Sequence, residues 1–121
     1  MTSKRKAIYN KYNGHCGYCG TELKMKDMQI DHIYPQRLKH FLGKGGDAPE
    51  ITSIHDPTNL MPSCRSCNHY KGGSTLEGFR KTMHSIHQRM ERDYKIKVGI
   101  RFGLVKIIPF DGQFYFEKLT S

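Results

Sequence analysis

The sequence predicts a small α+β fold, expected as a single domain over residues 1–121. Three observations predict it. The cysteines fall as two Cys-x-x-Cys pairs, Cys16/Cys19 and Cys64/Cys67, which can converge on one point and clamp the chain between them. Two short strand-like runs, 28–33 and 59–62, lie between the pairs, and the second leads into a helix. After that, apolar residues recur at helical spacing to about position 94, and Asp111-Gly112 then sits between two β-rich runs as a hairpin signal.

Taken in order, residues 3–13 read as a short basic helix. Ala7, Ile8 and Tyr12 face inward, Lys4, Arg5, Lys6 and Lys11 are solvated or meet phosphate, and Asn13-Gly14 is the stop. The glycines of Cys16-Gly17-Tyr18-Cys19-Gly20 permit the tight turn that lets two thiolates converge. In 28–33, alternation sets Met28, Ile30 and His32 on one face and Gln29, Asp31 and Ile33 on the other. Asp31 and His32 share a site only where the strand ends, and Pro35 supports an ending. Residues 36–58 form a long irregular insertion with a helical turn near 37–42, read as a mobile, substrate-facing loop. His40, His55 and Asp56 within it are read as ordinary surface residues.

Residues 59–62 make a brief return strand, and Cys64 turns into a helix carrying Cys67, Asn68 and Lys71 that ends at Gly72-Gly73. Ser74-Thr75-Leu76-Glu77 fits a capping box with Ser74 as N-cap. The long helix it opens buries Leu76, Phe79, Met83, Ile86 and Met90, with Ile96 past its end. Its other face carries Arg80, Lys81, Arg89 and Arg92, solvated or touching phosphate. Runs 100–110 and 113–119 flank the hairpin signal, and Pro109 marks a free edge.

The net charge of +9 and pI near 9.5 favour a polyanionic partner, most simply nucleic acid. A solvated basic surface and an anionic membrane are the alternatives. No apolar run approaches the roughly 18 residues of a membrane span. Met1-Thr2-Ser3-Lys4-Arg5-Lys6 is basic without a following apolar segment, so it does not read as a secretory signal, and an intracellular, cytoplasmic location is expected. Hydrophobic content of 36% without tryptophan implies a modest core that a metal would staple.

Paired thiols without a signal point to structural Zn²⁺ held by Cys16, Cys19, Cys64 and Cys67 rather than to disulfides, with a redox dithiol as the weaker alternative. About forty residues separate the pairs, against about 15–20 in a simple zinc ribbon. The extra length contains Asp31, His32 and Asn59, and Asn68 directly follows the last thiol. An aspartate, an asparagine and a histidine in one place can hold a hard cation and a general base.

The ordered set Cys-x-x-Cys, Asp31-His32-x-x-Pro35, then Asn59-Leu60-Met61-Pro62-Ser63-Cys64-x-x-Cys67-Asn68-x-x-Lys71 resembles the HNH endonuclease family. The resemblance covers roughly residues 7–82 and includes Thr75-Leu76-Glu77-Gly78-Phe79-Arg80, leaving about 83–121 as a C-terminal extension of helix and hairpin. It implies a ββα-metal unit clamped by the four-cysteine zinc. By resemblance, His32 is the general base that takes a proton from water, and Asn59 fixes the loop and orients the histidine. Asp31 and Asn68 ligate one catalytic cation, Mg²⁺ or Mn²⁺ on oxygen donors. The products implied are a 5′ phosphate and a 3′ hydroxyl. The third signature position is Asn68 rather than histidine, a variant that many family members share. Arg65, His69 and Lys71 are candidate nucleic-acid contacts, with a solvated lysine equally compatible for Lys71. His15 could substitute as a zinc ligand, but the four thiols already complete a tetrahedral set.

The expected activity is therefore metal-dependent DNA strand nicking. The alternative is a non-catalytic, zinc-stabilised DNA-binding module, which has no use for Asp31-His32 beside Asn59. Cutting both strands would require a homodimer or a second event. Nothing in the sequence supports a homodimer or a phage or restriction partner protein, and specificity is not legible.

Overall fold

In the computed structural model, which describes residues 3–119, the chain runs α1 (Ser3–Asn10), β1 (Gln29–His32), β2 (Leu60–Ser63), α2 (Arg65–Lys71), α3 (Leu76–Arg92), α4 (Tyr94–Arg101) and α5 (Tyr115–Lys118). Short 3-10 segments occupy Met25–Asp27, Gln36–Phe41 and Pro57–Asn59. Met1 and Thr2 of the basic start, with Thr120 and Ser121, lie outside the described residues. The architecture is α+β.

The two strands pair antiparallel, from Gln29 opposite Ser63 to His32 opposite Leu60. β1 stops at His32, as Pro35 implies, and α2 packs on β1 while α1 packs on β2. All four β2 residues are buried, which a mixed sequence of Leu60, Met61, Pro62 and Ser63 does not announce. Leu60 and Met61 join Ile8, Tyr18, Leu23, Met28, Phe79 and Phe114 in the core. Its centre is aromatic. The Tyr18 ring meets Phe79 and Phe114 edge-on at 5.3 and 5.5 Å, and Phe79 stacks on Phe114 at 5.0 Å. Burying each such side chain contributes about 1.5–3 kcal/mol.

α1 ends at Asn10, three residues short of the expected span, and Asn13 (φ 54°) and Gly14 (φ 77°) then turn left-handed. Ile8 is buried and Tyr12 half-buried, but Ala7 is exposed. Two of the cations expected in solvent are tethers instead. Arg5 donates to the Met25 and Met28 carbonyls (2.7 and 2.6 Å), and Lys11 to the Leu60 carbonyl (3.0 Å). The α3 cap is one residue later than expected. Thr75 Oγ1 accepts from the Gly78 amide (3.1 Å), so Gly78 occupies the third helical position and Glu77 pairs with Arg80.

The expected terminal hairpin does not form. Residues Tyr94–Arg101 are helical, opened by Asp93, whose carboxylate accepts from the Ile96 amide (3.2 Å). Asp111-Gly112 does turn, with Gly112 at φ 92°. Beyond it, however, Phe114 enters the aromatic core, and the Tyr115 and Phe116 amides donate to the Tyr18 and Gly17 carbonyls (2.9 and 2.8 Å). The donors a hairpin needs are thus spent on the first cysteine loop. Arg80, expected on the outer face of α3, reaches across to Glu117 with two bonds of 2.7 and 2.8 Å and locks this segment down.

Candidate metal centre and catalytic cleft

The cysteine loops meet because Gly17 has no side chain. Its amide donates to the Pro62 carbonyl (2.8 Å), and a Cβ there would collide with the Met61 side chain. Cys64 caps α2 through its sulfur, which accepts from the Cys67 amide (3.3 Å). The four Sγ atoms of Cys16, Cys19, Cys64 and Cys67 lie within 4.8 Å of one another. A tetrahedron of thiolates about 2.3 Å from a zinc has edges of about 3.8 Å. The Cys19–Cys64 edge is 3.8 Å. Thiols so close cannot ionise independently. Hydrogen bonds from Cys19 and Cys67 hold Cys16 well below the usual thiol range, while the proximity of Cys16 pushes Cys19 up to about 11 and Cys67 further up. A central cation removes that conflict, so the donor set fits a closed, structural metal site. His15 is not part of it, since its Nδ1 faces the Tyr12 and Asn13 carbonyls (3.2 and 3.1 Å).

On the far side of α2 lies a cleft of about 320 Å³ bounded by Asp31, His32, Gln36, Arg37 and Asn68. The end of β1 brings the neighbours Asp31 and His32 onto it together. Asp31 is buried, and its Oδ2 accepts from the Tyr18 hydroxyl (2.6 Å) with Lys71 Nζ 3.1 Å away. Burial and the Asp31 carboxylate push the Tyr18 phenol far up, so it stays a donor. Asn68 donates from its amide nitrogen to Gln29. Among the described residues, Oδ1 of Asp31 and Oδ1 of Asn68 carry no hydrogen bond, which leaves one hard oxygen from each for a cation.

The His32 imidazole is held at both nitrogens, with Nε2 3.0 Å from His55 Nδ1 and Nδ1 accepting from the Gln36 amide at 3.3 Å. Burial first, and then His55, hold its pKa below the usual value, so it is neutral at neutral pH. Asn59 is buried and clamps the insertion. Its Oδ1 accepts from the Tyr34 amide (2.8 Å), and its nitrogen donates to the Tyr34 and Ile54 carbonyls (3.1 and 2.9 Å). It does not touch the His32 ring directly.

One site residue sits differently from what the sequence suggests. Lys71 is neither solvated nor at the surface, because its ammonium is buried between Asp31 and the His32 carbonyl (2.9 Å). Arg65 lines a separate hollow with Lys26, Asp27 and Cys64, and His69 is exposed outside the cleft lining. Tyr18, Gln36, Arg37 and His55 carry no signal in the sequence that marks them for this site. Arg37 donates through Nε to the Gly73 carbonyl beyond α2. Another hollow, about 440 Å³, lies elsewhere, between the cysteines and the C-terminal segment. Its charged pair, Asp111 and Lys118, is self-neutralised at 2.7 Å.

Removing the Lys71 ammonium strands Asp31 as an unpaired buried charge, so Lys71→Met is expected to cost about 3–5 kcal/mol. Urea denaturation of the variant beside the parent checks this. A cost below about 1 kcal/mol would mean that the pair is solvated in solution.

Among the described residues no helix is long and apolar enough to cross a membrane. Comparison with curated proteins and with solved structures returned no match. Residues 16–74 match the family model described as HNH endonuclease, a span that contains both cysteine pairs, both strands, α2 and the whole cleft. Such a domain points to nuclease or DNA-binding function. The chain therefore carries an HNH endonuclease-family domain over residues 16–74, with four cysteines positioned to bind a metal.

Proposed function

We propose that the protein is a metal-dependent DNA endonuclease that nicks one strand, stabilised by a structural Zn²⁺ on Cys16, Cys19, Cys64 and Cys67. One observation carries the reading. The His32 imidazole and two oxygens without hydrogen-bond partners, from Asp31 and Asn68, border the same cleft. A module that only binds DNA has no need of that combination.

His32 is the general base in this reading. With the Gln36 amide donating to Nδ1, the neutral ring carries its proton on Nε2 and donates to His55. The Nδ1 lone pair is then the one that takes a proton from water, which displaces Gln36. The hydroxide attacks the phosphorus in line with the departing 3′ oxygen, which takes a proton from solvent water, leaving a 5′ phosphate and a 3′ hydroxyl. Asp31 and Asn68 would hold Mg²⁺ or Mn²⁺, and the ion would supply charge neutralisation to the phosphate and the leaving oxygen. Lys71 and Tyr18 occupy Oδ2 of Asp31, which leaves Oδ1 as the oxygen for the ion. Asn59 acts at one remove, by holding the loop that delivers His55.

Asn68→Ala removes one proposed ligand oxygen and only one hydrogen bond. It is expected to raise the Mg²⁺ concentration for half-maximal nicking by on the order of 10–100-fold, the scale seen even for outer-shell changes around metals. An unchanged Mg²⁺ requirement would remove Asn68 from the site. Salt-sensitive DNA binding without nicking by the parent under any divalent metal would favour the binding module instead.

A further inference from the structure

We infer that α4 and the turn after it form a second DNA contact, in which Phe102 and Leu104 insert as an apolar wedge into duplex flanking the cleaved step. The inference rests on the DNA-directed reading above and extends it to a surface outside the matched span 16–74.

The segment is anomalous in two ways at once. Positions 94–106 contain four basic residues and no acidic one. Among the described residues, Lys95, Lys97, Arg101 and Lys106 are exposed and enter no ion pair. The same stretch presents large apolar side chains to solvent, with Tyr94 82% exposed, Phe102 75% and Leu104 81%. Neither property alone assigns a partner. Apolar side chains interleaved with unpaired cations match a ligand with negative phosphates outside and flat apolar faces between them, which describes nucleic acid.

The wedge is held rigidly. Gly103 at φ 72° reverses the chain, and the Leu104 and Val105 amides both donate back to the Gly99 carbonyl (2.8 and 3.2 Å). Gly99 itself is buried, and a Cβ there would press on Val105. The inner side of α4 is therefore already used, and Phe102 and Leu104 stand on either side of a fixed turn. Little ordering is left to oppose insertion.

The surface is also continuous with the cleft helix. Tyr70, two residues after Asn68 on α2, shares a hollow with Ile86, Met90, Asp93 and Ile96 at the α3–α4 junction.

The test uses full-length protein carrying His32→Ala, so that DNA is bound and not cut, and a fluorescent duplex labelled at both ends. Phe102→Ala/Leu104→Ala is expected to weaken binding on the order of tenfold and to abolish the bend read by end-to-end energy transfer. Lys97→Gln/Arg101→Gln is expected to lower the slope of log K against log salt by about 1.8, or about 0.9 for each phosphate that the protein no longer neutralises. All four positions are exposed, so the variants fold. If the parent binds duplex and both variants match it in affinity, bend and slope, the inference fails while the nuclease reading stands. If the parent does not bind DNA at all, the DNA-directed reading fails, and this surface loses its partner with it. Self-association of the parent that Phe102→Ala/Leu104→Ala abolishes at unchanged DNA affinity would assign the wedge to a second copy and overturn the inference.

Discussion

His32→Ala is expected to lower plasmid nicking by about 10²–10⁴-fold, the range a positioned general base supplies, while leaving the fold intact. The separation of the two effects follows from what His32 holds. Its side chain is half-buried, and its two partners, His55 and Gln36, are both exposed. Its carbonyl, which receives the buried Lys71 ammonium, survives the substitution. The pairing of β1 with β2 is made by backbone atoms and survives too. Thermal unfolding within a few degrees of the parent, with nicking at background, is the expected pair of results. Residual activity above a tenth of the parent would show that another group, with His55 the nearest, serves as base.

Loss of the cysteine-bound metal is expected to have the opposite signature, with the fold failing first. Structural zinc sites contribute about 10–16 kcal/mol of apparent binding free energy, against a total stability of about 5–15 kcal/mol for an ordinary domain. Here the cysteine loop also anchors chain far from it. The Gly17 and Tyr18 carbonyls receive the Phe116 and Tyr115 amides, and Gly17 bonds to Pro62 of β2. Cys64 both caps α2 and supplies a thiolate. Cys16, which is fully buried, is the most demanding position. Cys16→Ser, or exhaustive chelation of the parent, is therefore expected to abolish the cooperative thermal transition and most of the helical circular dichroism. A midpoint shift of only a few degrees would mean that the aromatic core of Tyr18, Phe79 and Phe114 sustains the fold without metal.

The parts of this molecule that were legible in the sequence are those whose chemistry is local. Two cysteine pairs, an aspartate beside a histidine at a strand end and an asparagine after the last thiol each declare themselves within a few residues. The cleft brings Asp31, His32 and Asn68 together as that pattern implies. What escaped was either non-local or a local signal outvoted by packing. His55 reaches His32 from 23 positions away, across an insertion without regular periodicity. Lys71 reads as a phosphate contact or a solvated lysine, and only the fold shows a buried carboxylate waiting for it. Asp111-Gly112 is a sound turn signal and does turn, but Phe114 gains more from the aromatic core than from a two-stranded ribbon with a proline at its edge. At the start of α3, Ser74 and Thr75 are both competent caps, and the hydroxyl that reaches the Gly78 amide belongs to the second.

The central claim, that this cleft hydrolyses DNA, is tested most directly by incubating supercoiled plasmid with purified, zinc-loaded protein in Mg²⁺, Mn²⁺ or EDTA. Open-circular plasmid bearing 5′ phosphate and 3′ hydroxyl ends, formed with Mg²⁺ or Mn²⁺ and absent with EDTA, is the predicted result. Plasmid that stays supercoiled with every metal, in the presence of folded protein that binds it, would contradict the account.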